Sequence, residues 1–295
     1  MRAFCLIALL AAAPALAEVA VRDDEGRTLR LARPAQRIVS LSPDVTENLF
    51  AIGAGARVVG TVDFSNHPKP AAAIPRIGSY ERVDLEAVVA LKPDLVIAWK
   101  SGNSPNQVAR LAAVGLPVFI TQPNRVDDVA ANLERLGELT GLQAGAREVA
   151  AQFRDRVAVL RARHGERPRV RVFYEVWNQP LMTVGGQQAI SDALHLCGGD
   201  NVFAALKPLA AAVTVEAVLT ADPEAIVASG MGEERPEWLD EWRRWPSMTA
   251  VTRNNLFFVP PDHLQRHTPR LLDGIERLCA HLETARARRP PGAKP

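Results

Sequence analysis

From Arg37 onward the chain alternates short runs that are apolar throughout with longer segments that are apolar on one face only. Residues 37–43 (RIVSLSP), 58–62, 95–99 and 118–121 are runs of the first kind. Strands buried on both faces read this way, because neither side of the sheet needs polar residues. Between them, residues 44–53, 85–90, 108–114 and 126–139 carry helical spacing, and Asp44 with Glu47 three residues on is a capping pattern for the first of these. Ahead of this series, VAVRDDEGRTLRL (19–31) alternates around Asp24-Glu25-Gly26 and predicts a hairpin.

The rhythm breaks at about 144–164. Val149, Phe153, Val157 and Leu160 mark one face of a long helix, arginines lie on the other, and no Pro interrupts it. The alternation then resumes with strands at 170–176, 225–228 and 255–259, helices at 187–196 and 215–219, and a last helix at 269–285. Strands alternating with helices predict parallel sheets covered on both faces. The expected fold is α/β: two parallel-sheet lobes joined by one long helix, with a ligand cleft between them. The corresponding boundaries are 1–17, 18–143, 144–165 (the linking helix), 166–287 and a tail at 288–295.

One segment occurs twice. VDLEAVVALKPDLVIAW (83–99) and VTVEAVLTADPEAIVAS (213–229) align without gaps, pairing Val83, Glu86, Ala87, Val88, Pro93 and Ala98 with Val213, Glu216, Ala217, Val218, Pro223 and Ala228. The same helix–Pro–strand unit falls at matching places in the two lobes, so the lobes share one plan. Glu86 and Glu216 each sit near the start of a helix, where the dipole favours an acid. An acid kept in both otherwise diverged lobes also suits docking to a roughly two-fold partner with basic sockets.

The N-terminus has the shape of a signal peptide: Met1-Arg2, an apolar stretch from Phe4 to Ala13, then Ala15-Leu16-Ala17. Cleavage is expected after Ala17, with Glu18 as the first residue of an exported chain. The balance of 35 basic and 33 acidic residues implies no nucleic-acid partner. Many basic residues gather at the C-terminus (Arg286, Arg288, Arg289, Lys294) and read as a solvated tail. After cleavage Cys197 and Cys279 remain, and either one disulfide or two separate buried thiols would account for them.

No Walker loop, GxGxxG after a strand or GxSxG elbow is present, so no catalysis is expected. His263 and His267 have a zinc-like spacing, but no Glu accompanies them and Pro260, Pro261 and Pro269 bracket them as a loop, so no metal site is assigned. Aromatic residues are only 5% of the chain. Phe64 follows a strand end, Trp99 and Trp177 end strands, and Tyr80 sits in the turn before the first repeated helix. Parallel α/β sheets hold their ligands beyond the strand ends, where such aromatics can line a pocket. Trp238, Trp242 and Trp245 read as packing residues.

The stretches RIVSLSPDVTENLFAIGAGARVVGT, VDLEAVVALKPDLVIAW and LCGGDNVF resemble the helical-backbone class of periplasmic binding proteins that serve ABC importers. Within that class IAWKSGN (97–103), LCGGDNVF (196–203) and PPDHLQRHTPR (260–270) are most similar to the cobalamin-binding members. The resemblance covers nearly the whole chain after residue 17. It implies a monomeric solute-binding protein that captures a corrinoid as cargo, needs no cofactor, and delivers its cargo to the importer's membrane subunits through both lobes. Glu86 and Glu216 match the lobe-surface glutamates that meet arginines of those subunits. Phe64 falls where cobalamin-binding members have a tyrosine, Tyr80 where they have a tryptophan, and Trp99 on an aromatic. Asp262 and Arg266 match a polar pair at the cleft, and Cys197 with Cys279 a disulfide. Two departures stand out. Ala210–Ala212 replace a cleft tryptophan, with Trp177 near but not at an aromatic position. The hairpin is more typical of haem- and siderophore-binding relatives, which makes haem the second reading, although their tyrosine ligand falls here on Ser79.

Overall fold

A computed structural model describes residues 18–230 and 232–292; the expected signal peptide lies outside them. Two four-stranded sheets, every pairing parallel, form the two lobes. The first orders its strands Val58–Thr61, Ile38–Ser40, Leu95–Trp99, Val118–Thr121. The second orders Gly199–Asn201, Val170–Glu175, Ala225–Ala228, Leu256–Phe258. The topology is the same in both: the lobe's first strand lies second in the sheet, and the repeated strands lie third. The repeat in the sequence is therefore a repeat of architecture.

The helix Leu85–Ala90 begins at Asp84, whose carboxylate accepts from the Ala87 amide at 3.0 Å. Its counterpart Val215–Ala221 begins at Thr214, whose hydroxyl accepts from Ala217 at 3.2 Å. Each cap satisfies one of the amides that a helix start leaves unpaired.

The long helix runs Gln143–His164, 22 residues. Its buried stripe of Ala146, Ala150, Phe153, Val157 and Leu160 belongs to one apolar cluster that continues into both lobes. Among the described residues the chain crosses between the lobes only here. A hairpin, Val19–Arg22 with Thr28–Leu31, is pinned to the first lobe through Asp24, which accepts from Arg135 at 2.6 and 2.8 Å. In the second lobe Cys197 and Cys279 form a disulfide that ties the helix Ala189–Leu196 to the last helix, Leu271–Ala287.

Some expectations need correction. The first helix is Pro43–Ala51, so Asp44 lies inside it and its cap position is Ser42, with proline in the first turn, where a missing N–H costs nothing. The basic C-terminus is not a solvated tail over 286–289. Arg286 donates to the Pro168 and Gly198 carbonyls, and Arg289 pairs with Glu224 at 2.8 Å. A small antiparallel sheet of Trp177–Asn178, Leu181–Val184 and Ala210–Ala212 adds an element that the apolar pattern does not show.

Candidate functional site

Beyond the carboxyl ends of strands from both sheets lies a cleft of about 420 Å³, within the usual range of small-molecule sites. From the first lobe Ser42, Asp44, Phe64, Tyr80 and Trp99 line it; from the second, Gly230, Asp262, Gln265 and Arg266. Ser42, Asp44, Phe64, Gly230 and Asp262 follow a parallel strand within a few residues and Trp99 ends one, the position where sheets of this kind hold ligands. Tyr80 comes from the turn before the helix Leu85–Ala90, and Gln265 and Arg266 from just past the short helix Pro261–Leu264.

Trp99 ends its strand and is half-buried. It lies flat on the following turn: a Cβ at Gly102 would sit 1.8 Å from the indole, so only glycine leaves the ring that place. Asn103 fixes the turn, accepting from the Trp99 amide at 2.6 Å and donating to Leu41 and Tyr80 carbonyls at 2.9 and 2.7 Å. Tyr80 tilts against Trp99 at 5.9 Å and 55°, a favourable aromatic geometry. Burial, with Glu81 beside it, holds the Tyr80 phenol above its ordinary value, so it stays neutral and able to donate.

Phe64 is the exposed member, 61% accessible, and its φ of 63° is unusual for a residue with a side chain. Its loop is held from below and from the side. Below, the Ser65 hydroxyl accepts from Thr61 at 2.8 Å within a buried hydroxyl cluster that includes Thr46. From the side, Arg266 of the other lobe donates to the Phe64 carbonyl at 3.0 Å and to Asn66 at 2.9 Å. Arg266 also pairs with Asp262 at 2.8 Å. The guanidinium is thus largely committed to protein partners, whereas a quarter of the Asp262 side chain is open.

Five of the six residues singled out from the sequence therefore meet at one cleft. Trp177 does not line it: it stands in the antiparallel sheet, its indole donating to the Gln179 carbonyl at 2.9 Å. Ser42, Asp44 and Gln265 do line it without having been singled out. The rule that ligands sit past strand ends would have found the first two, directly after the strand Ile38–Ser40. Glu86 and Glu216 are far from the cleft in role. Both are exposed, and among the described residues neither enters an ion pair. Among the described residues no cluster of three His, Cys, Asp or Glu is placed to hold a metal, and no helix is long and apolar enough to cross a membrane.

Residues 38–263 match the family described as periplasmic binding protein. The chain belongs to that family. It is 32% identical to the Vitamin B12-binding protein of Vibrio parahaemolyticus over 87% of this chain and 92% of that one. It is 32% identical to the Vitamin B12-binding protein of Yersinia pestis over 85% and 88%. Among solved structures it is similar to the periplasmic Vitamin B12 binding protein BtuF of Vibrio cholerae, with a TM-score of 0.79, 32% identity and coverage of 86% and 98%. It is also similar to the periplasmic heme-binding protein RhuT from Roseiflexus sp. RS-1, with a TM-score of 0.75, 25% identity and coverage of 85% and 99%. As a periplasmic binding protein the chain is a carrier of small molecules, not an enzyme, and the molecule it carries is cargo rather than a cofactor.

Proposed function

We propose that this protein captures cobalamin or a related corrinoid in the cleft and delivers it to the membrane subunits of an ABC importer. The observation that carries the reading is the aromatic wall of Phe64, Tyr80 and Trp99 facing the polar pair Asp262 and Arg266 across a two-lobed cleft. A corrin is a broad, flat, largely apolar ring with amide side chains. Aromatic faces suit the ring, and the open edge of Asp262 suits the amide N–H groups. The similarity to Vitamin B12-binding proteins over most of the chain supports the same choice. Trp177 has no part in the wall unless a bulky ligand extends beyond the cleft to reach it.

The exposed Glu86 and Glu216, at equivalent places on the two lobes, would meet arginines of the importer. A monomer suffices, since each chain carries both acids. The signal peptide would leave after Ala17, and the chain would divide into lobes at 18–143 and 166–287 about the helix at 144–165.

The test is an absorption spectrum after gel filtration with cyanocobalamin and, separately, with haemin. Co-elution of a corrin spectrum with the protein is expected. A Soret band in its place would move the assignment to haem and to Tyr80. Failure to retain cyanocobalamin at millimolar concentration, about −4 kcal/mol of binding, would overturn the corrinoid reading.

A further inference from the structure

The first helix, Pro43–Ala51, turns an entirely polar face toward the other lobe. Asp44, Glu47 and Asn48 are three and four residues apart, which places them on one side of a helix. All three are buried, Glu47 to 3% exposure. Beyond the Ser42 hydroxyl and Val45 amide that Asp44 accepts from within its own lobe, their partners come from one continuous segment of the second lobe, residues 266–270. Glu47 is the hub. It accepts from the Thr268 hydroxyl at 2.6 Å and from Arg270 Nε and Nη2 at 2.8 and 2.7 Å, with Arg266 at 3.8 Å. Asn48 donates to the His267 carbonyl at 2.9 Å, and the Asp44 carboxylate lies 3.6 Å from His267 Nδ1.

This polar seam answers a mechanical problem set by the fold. Among the described residues the chain passes between the lobes once, along a single helix. One rod fixes the distance between two bodies but leaves rotation about its axis less restrained. An apolar contact would permit sliding, because it has no preferred direction. Hydrogen bonds to a carboxylate do have one, and a two-pronged arginine contact has one register. Separating the pair before water can reach it leaves a buried carboxylate uncompensated, so the seam resists partial opening. The seam reaches the cleft itself, since Arg266 continues from Glu47 to the Phe64 carbonyl and to Asp262.

We infer that Glu47 is a positioning residue for the cleft: it clamps the two lobes through Thr268, Arg270 and Arg266 and so sets how the aromatic wall faces the polar one. Glu47 does not itself line the cleft. The clamp stands on the contacts alone; its effect on ligand release rests on the function proposed above.

The experiment uses the full chain with nitroxide labels on Val114→Cys in the first lobe and Lys207→Cys in the second, both exposed. Distances are read by double electron–electron resonance without ligand. Glu47→Gln and Arg270→Gln should each broaden the distance distribution, and the double variant should broaden it no further than either alone. Thr268→Val, which removes a single donor, should give a smaller change and serves if Glu47→Gln does not fold. In folded variants, an unchanged distribution or effects that simply add would overturn the clamp. With cyanocobalamin loaded, Glu47→Gln should release it at least about tenfold faster. A parent protein that binds no cyanocobalamin defeats the corrinoid reading and leaves the ligand-free distances to decide the clamp.

Discussion

Trp99 shows how much of the cleft depends on single positions. The indole needs Gly102 beneath it and Asn103 beside it, and Tyr80 leans on its face. Trp99→Ala is expected to weaken cyanocobalamin binding by about 2 kcal/mol, roughly 30-fold in Kd, by titration calorimetry. Gly102→Ala should weaken it in the same direction while leaving every ligand contact chemically intact, because the added methyl displaces the ring. Unchanged affinity in both variants would remove Trp99 from the site. Glu175 gives a second test at this scale. It is 2% exposed at the end of the strand Val170–Glu175, and Trp242 Nε1 donates to it at 2.8 Å. Burial pushes its carboxyl up to about 8 from an ordinary 4.5, against the opposing pull of the Trp242 hydrogen bond. With the folded value above the unfolded one, its contribution is fully present below 4.5 and is lost as pH rises through about 8. Glu175→Gln keeps an acceptor for Trp242 and removes the titration. The melting temperature of the parent protein relative to this variant should therefore fall between about pH 5 and pH 9. A constant difference across that range would show that Glu175 titrates normally.

At the scale of elements, the two repeated helices are equivalent in cap, in first-turn acid and in the strand they feed. Their acids make no contact that the fold requires. Glu216 is fully exposed, its carboxyl held below the ordinary value by local hydrogen bonds with its own amide and Thr214. Glu86→Lys with Glu216→Lys should abolish importer-dependent uptake and leave cyanocobalamin affinity unchanged. A loss of affinity would return these acids to the fold. The helices and buried strands were legible in the sequence because a parallel strand covered on both faces is apolar throughout, as in Leu95–Trp99, with helical spacing on either side. The short strands Gly199–Asn201 and Ala210–Ala212 were not, since Gly, Asp, Asn and Ala carry little strand preference. Those segments are strands by virtue of their neighbours, Val170–Val172 and Met182–Val184. Phe64 and Trp99 were legible from their place at strand ends, and Tyr80 from the turn before the first repeated helix. The seam was not. Asp44 and Glu47 read as a helix start, and only the approach of residues 266–270, distant in the chain, turns that face inward.

At the scale of the molecule, the question is how far the lobes move. The 22-residue helix spans about 33 Å. It is joined to the first lobe by Arg154 with Glu134, both contacts at 2.7 Å, and to the second by Arg156 with Asp273 and Glu276 at 2.9 and 2.8 Å. Exposed pairs of this kind contribute little each. The stiffness comes from the apolar stripe, which is part of a core continuous from Val45 in one lobe through Phe153 in the helix to Ile275 in the other. A wide hinge would have to tear that core, and no Gly or Pro in the middle of the helix offers a bending point. Closure on ligand should therefore be a rocking of a few degrees about the polar seam. Small-angle scattering of the free and cyanocobalamin-saturated protein should differ by less than about 1 Å in radius of gyration. A contraction of several ångströms would mean that the helix bends or the seam opens. The two are separable, because only the second would be enlarged by Glu47→Gln.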